Sequence, residues 1–228
     1  MPVFTPNNAI LLLTRDTLYL MTKSQPVQKL TFPIEALKHQ EILERRLFEK
    51  VIADFFSRQK KQEAILLLTN DIIFQKQLPK TASPEDVQLF FNTIPFPQNI
   101  LAKKIIRTSQ NVCLFATNRD LYQTIAHIAN QYLWDVKEAL PLVIFSPYLQ
   151  EQEISYQALS NAIKHTEFID VANFLKDEKV ENTEKQEKVP ANSVPLKQYL
   201  MLIGSFLFLL IALAIAAINL GLLHLHTK

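Results

Sequence analysis

Three histidines, His39, His127 and His165, and a single cysteine, Cys113, are the soft ligands of the N-terminal part of the chain, and they stand far apart in sequence. A structural or catalytic zinc site draws its ligands in close pairs, such as Cys-x-x-Cys or His-x-x-x-His. No such pair occurs here, and no metal site is expected. His224 and His226 follow an apolar tract, where contact with lipid headgroups is their expected role. Nucleophilic catalysis needs a nucleophile, a base and a group that orients the base. Ser155, His165 and Asp170 supply the types, but nothing in their spacing selects them over other polar residues, so no catalytic residue is assigned. Glu41 and Glu44 are neighbouring carboxylates beside Arg45 and Arg46; ion pairing on a helix surface explains them better than acid–base work. Cys113 lies in the apolar run Val112-Cys113-Leu114-Phe115 and reads as a small buried hydrophobe. As the only cysteine it excludes an intrachain disulfide.

Glycine supplies the strongest exclusion. The chain has two, Gly204 and Gly221, both inside the C-terminal apolar tract. Loops that cradle phosphate use glycine to turn tightly and to let the backbone approach the ligand. No Walker loop and no dinucleotide fingerprint can be drawn, and no cofactor is expected. The formal net charge is +2, with bases and acids interleaved as in Lys176-Asp177-Glu178-Lys179. A nucleic-acid binder concentrates its basic residues on one face, so no nucleic-acid partner is expected.

The elements that would hold these residues follow from hydrophobic periodicity. Asn8 to Thr14 and Asp16 to Thr22 read as a hairpin turning at Arg15-Asp16, and Val27 to Phe32 as a third strand. From about Ile34 to Arg58, Leu43, Leu47, Val51 and Phe55, with Ile42, Phe48 and Ile52, recur at helical spacing. Glu63 to Thr69 is a continuous apolar run, as in a buried central strand. A strand is expected within Asp71 to Leu78. Ser83-Pro84-Glu85-Asp86 is a helix start, with Ser83 as cap and Pro84 at the first helical position; that helix stops at Pro95. Two strands follow, Leu101 to Thr108 and Asn111 to Thr117. Asn118 caps a helix from Arg119 to about Leu133. Glu138 to Phe145 returns as a strand, and Ser146-Pro147 opens a helical tail to about Leu175. The expected fold is α/β: a mixed sheet built strand-strand-strand-helix-strand, with an inserted helix-strand-strand-helix lobe and one C-terminal transmembrane helix. Trp134, with Tyr132 close by, ends the 119–133 helix; core packing is the first expectation for the indole, and a partner surface the alternative.

Residues 176–197 alternate in charge, are poor in apolar side chains and carry Pro190 and Pro195. They read as a flexible tether with a reach of roughly 25 Å. From Tyr199 through Leu209 and Ala216 to Leu223 no side chain is charged, and fifteen residues are Leu, Ile or Phe. As a helix this tract covers roughly 37 Å, enough for a hydrocarbon core of about 30 Å. Its leucines, isoleucines and phenylalanines favour insertion by roughly −5 to −9 kcal/mol. The pairs Ala212/Ala216 and Ala217/Gly221 have the small-xxx-small spacing that allows close helix packing in lipid, and so a homo-oligomer through this helix. The N-terminus lacks the basic, apolar and cleavage regions of a signal peptide. The expected layout is a cytoplasmic domain at 1–175, the tether at 176–197, a single span at 198–224 and a short tail at 225–228, in the inner (cytoplasmic) membrane.

The element order, the words Ile94-Pro95-Phe96 and Leu114-Phe-Ala-Thr-Asn-Arg-Asp-Leu-Tyr122, and the return strand at Glu138 to Phe145 make this chain similar to the PilM/GspL-like actin-like cytoplasmic domains of type IV pilus and type II secretion platforms. Residues 8–69 match the family's first lobe in order, and 83–133 its inserted small lobe. The sequence departs where the family places an Asp-x-Gly phosphate turn: Thr14-Arg15-Asp16-Thr17 stands there without glycine. A second actin-like half is also missing before the tether. The resemblance therefore implies a reduced actin-like domain with no ATP-binding residue to carry over. The function expected is a non-catalytic, membrane-anchored scaffold or docking protein in such a platform, with membrane lipid and other platform proteins as partners. The alternatives are a membrane-tethered enzyme of unidentified chemistry and an unrelated tail-anchored adaptor.

Overall fold

The computed structural model describes residues 9–149, 154–164 and 167–176. The chain divides into two units, Met1–Lys179 and Val180–Lys228, and all the described residues belong to the first. The expected membrane helix, with Tyr199, Leu209, Ala212, Ala216, Ala217, Gly221 and Leu223, lies outside them, as does the tether beyond Lys176. Among the described residues no helix is long and apolar enough to cross a membrane.

The chain opens with three antiparallel strands, β1 (Ala9–Leu13), β2 (Thr17–Met21) and β3 (Gln28–Thr31). The two-residue strands β4 (Leu37–Lys38) and β5 (Glu41–Ile42) then make a small hairpin. Helix α1 (Arg45–Ser57) follows, and leads into β6 (Glu63–Leu68). β6 pairs in parallel with β1, Ala9 opposite Ala64 through Leu13 opposite Leu68. Next come β7 (Phe74–Pro79), α2 (Pro84–Asn92), β8 (Leu101–Arg107) and β9 (Asn111–Asn118). Helix α3 (Arg119–Gln131) returns the chain to β10 (Asp135–Pro141), which pairs in parallel with β6. A 3-10 segment (Leu142–Tyr148) and the helices α4 (Tyr156–Lys164) and α5 (Ile169–Ala172) complete the described chain.

The main sheet has the order β10-β6-β1-β2-β3, with an antiparallel meander on one side of β1 and parallel strands on the other. All five residues of β1 and the last five of β6 are buried. Strands flanked on both sides and covered on both faces have no polar side to show, which is why these two read as unbroken apolar runs. α1 buries Phe48, Ile52 and Phe56 and packs on α3. The second sheet, β7-β9-β8, has two distinct faces. Leu78, Val112, Leu114 and Ala116 pack with Val87, Phe90 and Phe91 of α2 in a separate small core. Ala102, Ile106 and Phe115, on the opposite face by the period of two, join the main core instead. Ile94 and Phe96, from the Ile94-Pro95-Phe96 word, are buried in the small core, and Phe96 meets Phe74 edge-on at 5.8 Å.

The mixed α/β architecture is as expected, and so are the helix caps. Ser83 and Asp86 form a reciprocal capping box with Pro84 in the first turn, and Asn118 accepts the Asp120 N–H at 2.9 Å. Three expectations need correction. The helix predicted from Ile34 starts only at Arg45, because Glu44 caps it by accepting the N–H groups of Arg46 and Leu47. The preceding residues are a turn after Pro33 and the β4–β5 hairpin, so Leu43 is 55% exposed rather than part of an apolar face. Second, α3 does not belong to the inserted lobe: Leu121, Ile125, Ile128 and Ala129 bury into the main core. The lobe is therefore strand-helix-strand-strand. Third, the return strand ends at Pro141, and the tail is the 3-10 segment followed by two short helices.

Candidate functional site

A cleft of about 560 Å³ opens between the lobe sheet and the main body. Its floor is the body-facing side of that sheet, with Gln75 and Gln77 from β7, Ile106 from β8, and Cys113 and Phe115 from β9. The alternation of β9 forces this: Val112, Leu114 and Ala116 turn to α2, so Cys113 and Phe115 must turn to the cleft. The opposite wall is Val143, Ile144 and Pro147 of the 3-10 segment, and Phe168, 41% exposed, closes one end. Among the described lining residues Lys76 is the only charged one. Cys113 is half-buried rather than fully enclosed, and burial pushes its thiol pKa up, away from the reactive thiolate.

A second polar cluster sits at the carboxyl ends of β1 and β6, the usual ligand position of an open α/β sheet. The turn after β1 is closed by the Thr14 N–H donating to the Thr17 carbonyl at 2.9 Å. The Arg15 N–H of that turn donates to the Asp71 carboxylate at 2.9 Å, and the Thr69 hydroxyl sits within reach of both Asp71 and the Leu13 carbonyl, donating its single proton to one of them. The backbone donor facing outward from this turn is thus taken by the chain's own carboxylate. Gln40 packs against the same group. Its side-chain amide donates to the Asp71 carbonyl, and its own carbonyl accepts from Asn118 at 2.8 Å. His39 and Gln40 both have positive φ (50° and 68°), as a two-residue hairpin turn requires, though neither is glycine.

The other sequence candidates separate in space or take structural roles. Glu44 caps α1 while Glu41 lies in β5, so the two carboxylates share no helix. Arg45 instead grips Asp120 of α3 with two contacts of 2.7 and 2.5 Å, which raises the guanidinium pKa. Being half exposed, this pair contributes at most about 1 kcal/mol. Ser155 accepts the Ala158 N–H in the first turn of α4, Asp170 pairs with Lys176, and His165 lies outside the described residues. His127 contacts Gln131 on α3. Among the described residues no group of three or more His, Cys, Asp or Glu is placed to hold a metal. Tyr132 is the partly buried C-cap of α3, and Trp134 is 2% exposed, edge-on to Phe56 at 5.2 Å. The core placement of Trp134 is the one the structure shows.

One buried carboxylate was missed in the sequence. Glu138 lies in β10 beside the bulge between Val136 and Glu138 and is 6% exposed. Loss of water raises its pKa; Lys176 and Lys137 oppose that shift, and Asp170 and Asp135 add to it. A raised native pKa means that the folded protein holds the proton more tightly than the unfolded chain. Stability is therefore fully present below the ordinary glutamate range and falls as pH rises through the native value. Glu138→Gln is expected to stabilise the fold at neutral pH by about 0.5–2 kcal/mol and to flatten the decline in melting temperature between acid and neutral pH. Parallel melting curves of the two proteins across that range check it; an unchanged slope would refute it.

No family model matches the chain, and no curated protein matches it. Solved structures do. The chain is similar to a protein of the PilM–PilN type IV pilus biogenesis complex, at 13% identity and a TM-score of 0.44, over 62% of this chain and 49% of that one. It is similar to the cytoplasmic domain of EpsL, an inner-membrane component of the Vibrio cholerae type II secretion system, at 9% identity and a TM-score of 0.42, over 64% of this chain and 60% of that one. A Bacteroides thetaiotaomicron protein of actin-like ATPase fold and unknown function matches at 15% identity and a TM-score of 0.34, over 57% and 53%. The match spans about half to three fifths of the length of these proteins.

Proposed function

We propose that this chain is a non-catalytic, membrane-anchored scaffold of a type IV pilus or type II secretion inner-membrane platform, and that a partner protein seats in the cleft between the lobe and the main sheet. The cleft carries this reading. An open surface lined by Ile106, Phe115, Val143, Ile144, Pro147 and Phe168 suits a short apolar peptide segment. It offers no converging acid and base. At the other candidate position, the end of β1 and β6, Asp71 holds the turn donor that an incoming phosphate would need. In this reading residues 1–175 face the cytoplasm, 176–197 tether them, and 198–224 span the inner membrane, in contact with lipid and able to pair through Ala212, Ala216, Ala217 and Gly221. It is of a kind with the type IV pilus biogenesis complex of PilM and PilN and with the inner-membrane type II secretion component EpsL, to whose structures this chain is similar.

Calorimetry of the full-length chain with ATP and magnesium tests the non-catalytic part. No saturable heat is expected at ligand concentrations up to about 1 mM, the limit at which binding is worth roughly 4 kcal/mol. A dissociation constant in the micromolar range would sink it.

A further inference from the structure

The last ten described residues run from the cleft to the outer edge of β10. Phe168 lines the cleft. It begins α5, whose Ala172 N–H returns to the Phe168 carbonyl at 2.9 Å. α5 packs against β8 of the lobe and against β10 of the main sheet, so this short stretch bridges the two walls. Asn173, fully buried, then stitches the chain to the outer edge of β10. Its side-chain oxygen accepts from the Ala139 N–H at 3.0 Å and from the Leu175 N–H at 2.9 Å, and its amide donates to the Lys137 carbonyl at 3.3 Å. The Phe174 N–H donates to the Ala139 carbonyl at 2.9 Å, and the Tyr122 hydroxyl donates to the Phe174 carbonyl at 3.3 Å. Lys176 pairs back to Asp170 across α5.

We infer that residues 167–176 form a strap whose seating on β10 through Asn173 sets how open the cleft is. Four residues, Ile169–Ala172, separate the wall residue Phe168 from the stitch, and a single turn of helix spans them. Whatever lifts Asn173 from the edge strand also removes the support of Phe168. Traction applied to the chain after Lys176 reaches Phe174 and the Asn173 stitch before the rest of the core. The strap thus couples the pull on the chain's exit to the docking site. The regulatory meaning rests on the docking function proposed above, but the coupling can be measured with no partner present.

Cys113, the chain's only cysteine, lies on the cleft floor and reports its opening. The full-length protein in detergent micelles is alkylated with a maleimide while hydrogen exchange of 167–176 is followed by mass spectrometry. Asn173→Ala strips partners from buried backbone groups and is expected to speed both strap exchange and Cys113 alkylation about tenfold. Asp170→Lys, at an exposed position, repels Lys176 without touching the stitch; it should speed both by about two- to threefold. If Asn173→Ala proves unfolded by circular dichroism, Asp170→Lys decides alone. Faster strap exchange with an unchanged Cys113 rate would overturn the coupling, as would unchanged exchange in Asp170→Lys. Failure here leaves the cleft free to bind a partner, and loss of partner binding with intact coupling would indict the docking function instead.

Discussion

Trp134→Ala is expected to destabilise the domain by about 3–5 kcal/mol, the range for truncating a large buried aromatic. The reason begins in the backbone. α3 ends with the Leu133 N–H on the Asn130 carbonyl at 3.0 Å and the Trp134 N–H on the Ala129 carbonyl at 3.1 Å. That is the paired closure of a Schellman motif, with Leu133 taking the left-handed position at φ 64°. The motif delivers the residue after the turn to the core, and Trp134 arrives against Phe56. The indole N–H has no partner there. The stabilisation is therefore packing without a hydrogen bond, and Trp134→Phe, which leaves a smaller cavity, should cost less than Trp134→Ala. Since Trp134 is the only tryptophan, unfolding is followed by circular dichroism in denaturant. A midpoint shift worth less than about 1 kcal/mol for the alanine variant would contradict the packing described.

What the sequence discloses is local, and what it hides is the meeting of distant segments. β1 and β6 were legible because burial on both faces leaves no polar residue in the run, and α2 because Ser83, Pro84 and Asp86 are caps by chemistry. The overlong helix at 34–58 arose because Leu43 and Ile42 fall in register with Leu47 and Val51 by spacing alone. Periodicity cannot see that Glu44 folds back to cap the helix, or that a non-glycine pair, His39-Gln40, turns with positive φ. α3 was assigned to the lobe because it follows β9 directly; only the burial of Leu121, Ile125 and Ala129 in the main core places it elsewhere. The cleft was out of reach for a similar reason. Its walls come from residues 75–77, 106–115, 143–147 and 168, four stretches far apart in the chain whose polar members have no motif spacing to mark a site. Asn173 looked like a helix interior residue within an expected tail, whereas its value lies in three hydrogen bonds made where that helix is absent.

The docking surface predicts the second large effect. A photo-crosslinker attached to Cys113 in full-length protein, in the membranes of the producing cell, is expected to capture the proposed partner protein through an apolar segment. The segment is expected to be apolar because Ile106, Phe115, Val143, Ile144, Pro147 and Phe168 line the cleft. Phe168→Asp should reduce that adduct by about a hundredfold, since a charge set in an apolar contact costs several kcal/mol when nothing pairs with it. Phe168 is 41% exposed, so the substitution should leave the fold and its melting temperature intact. Lys76→Glu should leave capture nearly unchanged, because Lys76 pairs across from Leu114 on the α2 face of the sheet, where it acts on Asp86. Adducts with lipid alone or with a second copy of the chain would refute the proposed occupant. So would a protein adduct that survives Phe168→Asp, because the partner would then lie over Cys113 without filling the cleft that Phe168 closes.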